Sequence, residues 1–124
     1  MITRIHSTSL PVSDQDVALD FFVNKLGWEK RIDNMVGDNY RFLTVAPQGA
    51  GTELALSPSA TDGSAGDSSS RTPISLIADD IDATYQDLLA KGVTFTQAPQ
   101  VEPWGAKGAL FADPDGNEFY LTTD

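Results

Sequence analysis

Cysteine is absent from this chain of 124 residues. Disulfide staples, thiolate metal sites and a cysteine nucleophile are thereby excluded, and the absence fits a reducing compartment. Histidine, the commonest metal ligand, occurs once, as His6. Cations are few: Lys and Arg total 8 against 18 Asp and Glu, for a formal charge of −10. Those eight are scattered along the chain, whereas a nucleic-acid partner needs them clustered, so no nucleic acid is expected. No apolar run approaches the roughly 18 residues of a membrane span, and Met1 to Leu10 offers no stretch long enough for a signal peptide. The expectation is a cytoplasmic protein with no membrane partner. Its acidity serves solubility and makes a cationic or neutral ligand easier to accept than an anionic one.

What the chain does hold is apolar patterning: 40% of its residues are hydrophobic, enough at this length for a core without staples. Ile2 to Val12 is strand-like, with Pro11 near its end. Ser13-Asp14 offers a helix cap, and Val17, Ala18, Phe21 and Phe22 form one stripe of a helix over Asp16 to Leu26 that Gly27 stops. Trp28 to Asp33, Tyr40 to Ala46 and Thr52 to Ser57 read as strands between Gly and Asn turns. Composition then breaks into Ser, Gly, Ala and Asp, and residues 58–71 are expected to be a flexible linker. Beyond it, Ile74 to Ala78 predicts a strand. Asp80 caps a helix with Ile81, Thr84, Tyr85, Leu88 and Leu89 at helical spacing, and Gly92 ends it. Val93 to Thr96, Lys107 to Ala112 and Glu118 to Thr122 are three more strands. Asp113-Pro-Asp-Gly-Asn117 is a turn between the last two, with Pro fixing φ and Gly116 permitting a positive one.

The second half repeats the first. Leu10, Asp14 and Asp16 align with Leu76, Asp80 and Asp82, and Gly27 aligns with Gly92 after a one-residue slip. The predicted fold is α+β: two βαβββ modules, residues 1–57 and 72–124, forming paired curved sheets around a shared groove.

In this order the residues resemble the vicinal oxygen chelate superfamily, which holds glyoxalases, bleomycin-resistance proteins and extradiol dioxygenases. The resemblance rests on Val12-Ser-Asp14, Phe21-Phe22 and Leu26-Gly27 in the first half. In the second it rests on Asp79-Asp80-Ile81-Asp82-Ala83-Thr84, Lys91-Gly92-Val93 and Asp113 to Asn117. It covers nearly the whole chain and implies the fold, a small-molecule ligand and a homodimer, but no single activity. Metal-using members place four ligands, usually His and Glu, on the first and last strands of each module. The resemblance puts Ser7, Glu53, Pro73 and Tyr120 at those positions. Only Glu53 is a good ligand, and Pro73 has no side-chain donor, so no metal and no cofactor are expected. His6 falls one residue off the ligand column, on the opposite face, and reads as an ordinary structural or surface residue.

Alternation then defines a groove lining. Ser7 and Ser9, Glu53 and Ala55, Pro73 and Ser75, and Glu118, Tyr120 and Thr122 share one face. Leu10, Leu54, Leu56, Leu76, Phe119 and Leu121 share the other. Trp104, in Pro103-Trp-Gly105, can stack on a planar or cationic ligand, or else fill a gap between loop and sheet. The expected ligand-binding set is Ser7, Ser9, Glu53, Pro73, Ser75, Trp104 and Tyr120. Glu53 in an apolar groove can act as a general base with Tyr120 as its hydrogen-bonding partner. A plainer role is a Glu bonded to Ser, Tyr or Arg41. Three functions follow: metal-free binding of an aromatic or cationic compound such as an antibiotic, a metal-independent lyase or isomerase using Glu53, and a non-catalytic assembly protein.

Overall fold

The computed structural model describes residues 1–58 and 71–123. The chain divides into two compact units, Met1–Asp67 and Ser68–Asp124. The first runs β1 (Ser7–Val12), α1 (Gln15–Asp20) prolonged by a π-helical turn (Phe21–Lys25), β2 (Glu29–Val36), β3 (Tyr40–Ala46) and β4 (Glu53–Pro58). The second runs β5 (Arg71–Ile77), α2 (Ile81–Ala90), β6 (Thr94–Val101), β7 (Lys107–Ala112) and β8 (Glu118–Thr122). The fold is α+β, and each unit is a βαβββ module. The sheet orders are β1-β4-β3-β2 and β5-β8-β7-β6. In both, the first strand lies parallel to the last and the other pairs are antiparallel.

Equivalent devices start and stop the two helices. Asp14 Oδ1 accepts from the N–H groups of Asp16 and Val17 at 2.9 and 3.1 Å. Asp80 Oδ1 accepts from Ala83 N–H at 3.0 Å. Each carboxylate satisfies donors that a helix start leaves open. Gly27 and Gly92 then take φ of 77° and 87°, a conformation that costs Gly little and lets the chain leave the helix. The π-helical turn shows in the Leu26 N–H bond to Phe21 O at 3.1 Å. It belongs to the segment that seats Phe21 and Phe22 in the core, edge to face at 5.2 Å.

One face of each sheet carries the core. Leu10, Leu54 and Leu56 are buried in the first module, and Phe111, Phe119 and Leu121 in the second. Leu76 is half-buried. Phe111 and Phe119 stack at 5.5 Å, and Tyr85 of α2 meets Phe95 edge to face at 4.7 Å. The Asp113–Asn117 turn closes on itself: Asp113 Oδ1 accepts from Asp115 and Asn117 N–H groups at 2.9 and 2.8 Å.

Several boundaries differ from the sequence reading. The first strand begins at Ser7, because its partner β4 begins at Glu53 and no ladder continues beyond that pair. Ile2 and Ile5 are accordingly exposed. Val17 and Leu89 leave the expected helix stripes and face solvent. Strand β6 runs on to Val101 through Pro99. It is an edge strand, where a residue without an N–H is tolerated, and register breaks between Phe95 and Gln100 absorb the irregularity. Pro58 and Arg71, expected in the linker, are strand ends; the rest of that stretch lies outside the described residues. No described helix is long and apolar enough to cross a membrane.

Candidate functional site

In the first module the parallel ladder sets Ser7 beside Glu53 and Ser9 beside Ala55. Thr44 of β3 faces Ala55 across the antiparallel ladder. Ser7 is half-buried and Ser9 exposed. His6 is exposed, with Nδ1 3.1 Å from Ser7 Oγ.

Glu53 is largely enclosed, with a side chain 12% exposed. It has two polar partners, Thr44 and Arg31. Thr44 Oγ1 donates to Glu53 Oε1 at 2.8 Å and itself accepts from Ile32 N–H at 3.0 Å. Arg31 Nη1 stands 3.6 Å from Glu53 Oε2. The basic partner is therefore Arg31. Arg41 is committed elsewhere, to Asp33 and Asp16 at 2.8 Å each.

A β-bulge brings Arg31 there. Lys30 pairs with Val45 and Ile32 with Thr44, so Arg31 has no partner in the ladder. A bulge inserts one residue and re-aims its side chain. The guanidinium is then held by Glu29 through Nε and by the carbonyls of Ala50 and Pro47 through Nη2, at 2.9 and 3.3 Å.

In the second module Ser75 pairs with Tyr120 and Arg71 with Glu118, with a register break that contains Pro73. Proline has no N–H for the ladder. Pro73 and Ser75 are exposed. The Arg71 guanidinium lies 5.1 Å from the Tyr120 ring centroid, and the Trp104 ring lies 6.3 Å away. Trp104 sits on the β6–β7 turn, which the Glu102 N–H bond to Ala106 O closes at 2.8 Å. It is 67% exposed, so it does not fill a gap between loop and sheet.

The Tyr120 hydroxyl is shut off from solvent and hydrogen-bonds to no described residue. Burial pushes the phenol above its ordinary pKa, the Glu102 carboxylate adds to this, and the Thr122 side chain and Arg71 oppose it. Glu102 itself accepts from Gln97 Nε2 at 3.0 Å. Sequence reasoning missed Arg31, Thr44, Arg71 and Glu102. Strand periodicity could have placed Thr44 and Arg71; nothing in the sequence marks the bulge at Arg31.

Residues 4–121 match the Glyoxalase/Bleomycin resistance protein/Dioxygenase superfamily. The chain belongs to this superfamily. It is 34% identical to the uncharacterized protein YetH of Bacillus subtilis (strain 168), with 98% of each chain covered. A superfamily member from Sphaerobacter thermophilus DSM 20745 has a crystal structure with TM-score 0.90 and 47% identity, covering 99% of this chain and 98% of that one. TnmS3, an antibiotic binding protein from Streptomyces sp. CB03234, gives TM-score 0.85 and 37% identity, covering 98% and 96%.

Metal-using members of the superfamily need several donors on one divalent ion, and the donors here do not fit one. Pro73 offers no atom. The Tyr120 hydroxyl is shut off from solvent. Glu53 Oε1 already accepts from Thr44, and a guanidinium stands by Oε2. Among the described residues no three His, Cys, Asp or Glu cluster as a metal site would require.

Proposed function

We propose that the protein is a metal-free binder of a small planar molecule, aromatic and neutral or cationic, of the antibiotic-sequestering kind. The observation that carries the reading is the exposed Trp104 ring, beside a Tyr120 ring that the Arg71 guanidinium also approaches. A large aromatic face left to solvent offers a stacking surface. The 37% identity to an antibiotic binding protein supports the same reading. In it, Ser7, Ser9, Glu53, Pro73, Ser75, Trp104 and Tyr120 are the ligand-binding residues, no cofactor takes part, and the protein acts as a cytoplasmic homodimer.

Binding is tested by tryptophan fluorescence and melting shifts against planar polycyclic antibiotics, in a Trp28→Phe background that leaves Trp104 as the reporter. Quenching with a melting shift is expected, and Trp104→Ala should weaken it about tenfold or more, as for a central aromatic contact. Unchanged affinity in that variant removes Trp104 from the site, and no response across the series removes the reading. Sedimentation velocity reads the oligomeric state.

A lyase or isomerase would use Glu53 as base and Tyr120 as donor. The bonds already held by Glu53 and the sealed hydroxyl of Tyr120 weigh against it. Turnover of a bound compound that Glu53→Gln abolishes would reinstate it.

A further inference from the structure

We infer that Arg31 is the resident cation of Glu53, taking the charge-balancing part that a divalent ion takes in metal-using members of the superfamily. This deepens the metal-free side of the reading above. It rests on how the first module is built, independently of any ligand.

Three observations converge. The Glu53 side chain is only 12% exposed, and an ionised carboxylate withdrawn from water needs a partner charge or donors. Both oxygens have been given one: Thr44 Oγ1 at 2.8 Å on Oε1, and Arg31 Nη1 at 3.6 Å beside Oε2. Thr44 is fully buried, and its hydroxyl takes the Ile32 N–H. Its own proton is thereby directed to Glu53.

The cation is also fixed. The Arg31 side chain is 22% exposed, and each guanidinium nitrogen has an assignment: Nε to Glu29, Nη2 to the Ala50 and Pro47 carbonyls, and Nη1 to Glu53. A planar fork can meet three directions at once, which a lysine ammonium on a flexible stem does not. The carbonyls belong to the turn between β3 and β4 and Glu29 to β2, so the charge is anchored by backbone as well as by carboxylates. The β-bulge between Lys30 and Ile32 is the local device that delivers it. A divalent ion approaching Glu53 would meet this positive charge beside the only good donor of the set, and like charges at such range repel.

The test is a double-mutant cycle on the full chain, read by thermal unfolding. Arg31→Ala should lower the melting temperature by about 4 °C or more beyond its cost in the Glu53→Gln background, because the uncompensated charge is then gone. If Arg31 serves only to tie down the β3–β4 turn, its removal costs the same in both backgrounds, and the inference fails. Should Arg31→Ala not fold, Arg31→Gln takes its place in the cycle. The unaltered protein is also titrated with Ni²⁺ or Zn²⁺ alone. Stoichiometric uptake that Glu53→Gln abolishes overturns the inference, and no Glu53-dependent uptake supports it. Neither readout uses a small-molecule ligand: a failed cycle leaves the binding reading standing, metal uptake removes only its metal-free part, and failure of ligand binding leaves this inference.

Discussion

The hydroxyl oxygen of Tyr120 stands 2.0 Å from where a Cβ on Gly108 would be. Two further atoms of the same ring lie at 2.5 and 2.8 Å from that point. The ring therefore rests flush on the backbone of β7, and Gly108 is required by space. Gly108→Ala should destabilise the protein by about 1–3 kcal/mol, the usual cost of forcing atoms into a packed position. Adding Tyr120→Phe should recover only part, since the ring carbons still collide. Urea unfolding of the two variants measures both. Full stability in Gly108→Ala would show that Tyr120 is free to move.

Thr44 links the Ile32 N–H to Oε1 of the Glu53 carboxylate. Thr44→Val keeps shape and burial while removing the hydroxyl. A buried donor and acceptor left unsatisfied cost about 1–3 kcal/mol. Thr44→Ser keeps the hydroxyl and should lose less. Equal losses in the two variants would assign the effect to packing alone.

The Arg41 guanidinium beside Asp33 holds its carboxyl down at about 2, with Lys30 assisting. A carboxylate whose folded value lies below its unfolded value of 3.8 adds stability above that unfolded value. The contribution disappears as pH falls through about 2. Asp33→Asn should therefore melt below the unaltered protein near neutrality, and the gap should close on acidification. The gap will be modest, because the pair is solvent-exposed and screened. A gap that widens at low pH would contradict the pairing.

Asp113 behaves oppositely. Burial pushes its carboxyl above the ordinary value, although the Asn117 side chain and the N–H groups of Asn117 and Asp115 pull it back. A raised acid stabilises the fold below the unfolded pKa, and this is lost as pH rises through the folded one. Asp113→Asn should thus gain relative to the unaltered protein as pH rises across that window. Melting curves at a series of pH values, with carboxyl titration by NMR, check the direction.

The sequence made one class of information easy to read. Leu10, Leu54, Leu56, Phe119 and Leu121 declare their face by alternation, and all five are buried. Strands β3, β7 and β8 begin and end where their composition says. The doubled Asp cap and closing Gly revealed the two modules. Arg31 was hidden because a bulge shifts parity by one, and no residue type announces it. The same blindness made Arg41 the candidate partner of Glu53, although Arg41 turns to Asp33 and Asp16. Strand β6 outran its expected end at Thr96, because an edge tolerates Pro99. Ile2 and Ile5 carry β-forming side chains, but a strand also needs a partner, and partners are not local.

The parallel pairing of first strand with last has a kinetic side. In each module β1 or β5 leaves the ribosome first, yet its only ladder partner, β4 or β8, is made last. The antiparallel β2–β3 and β6–β7 hairpins can zip as soon as they emerge, because their loops are short. The first strand and its helix must wait, with their apolar faces uncovered, for the final strand to slot between the first strand and the hairpin. Each module is thus a sheet completed by its last strand, and pairing over so long a span is the slow step that topology imposes.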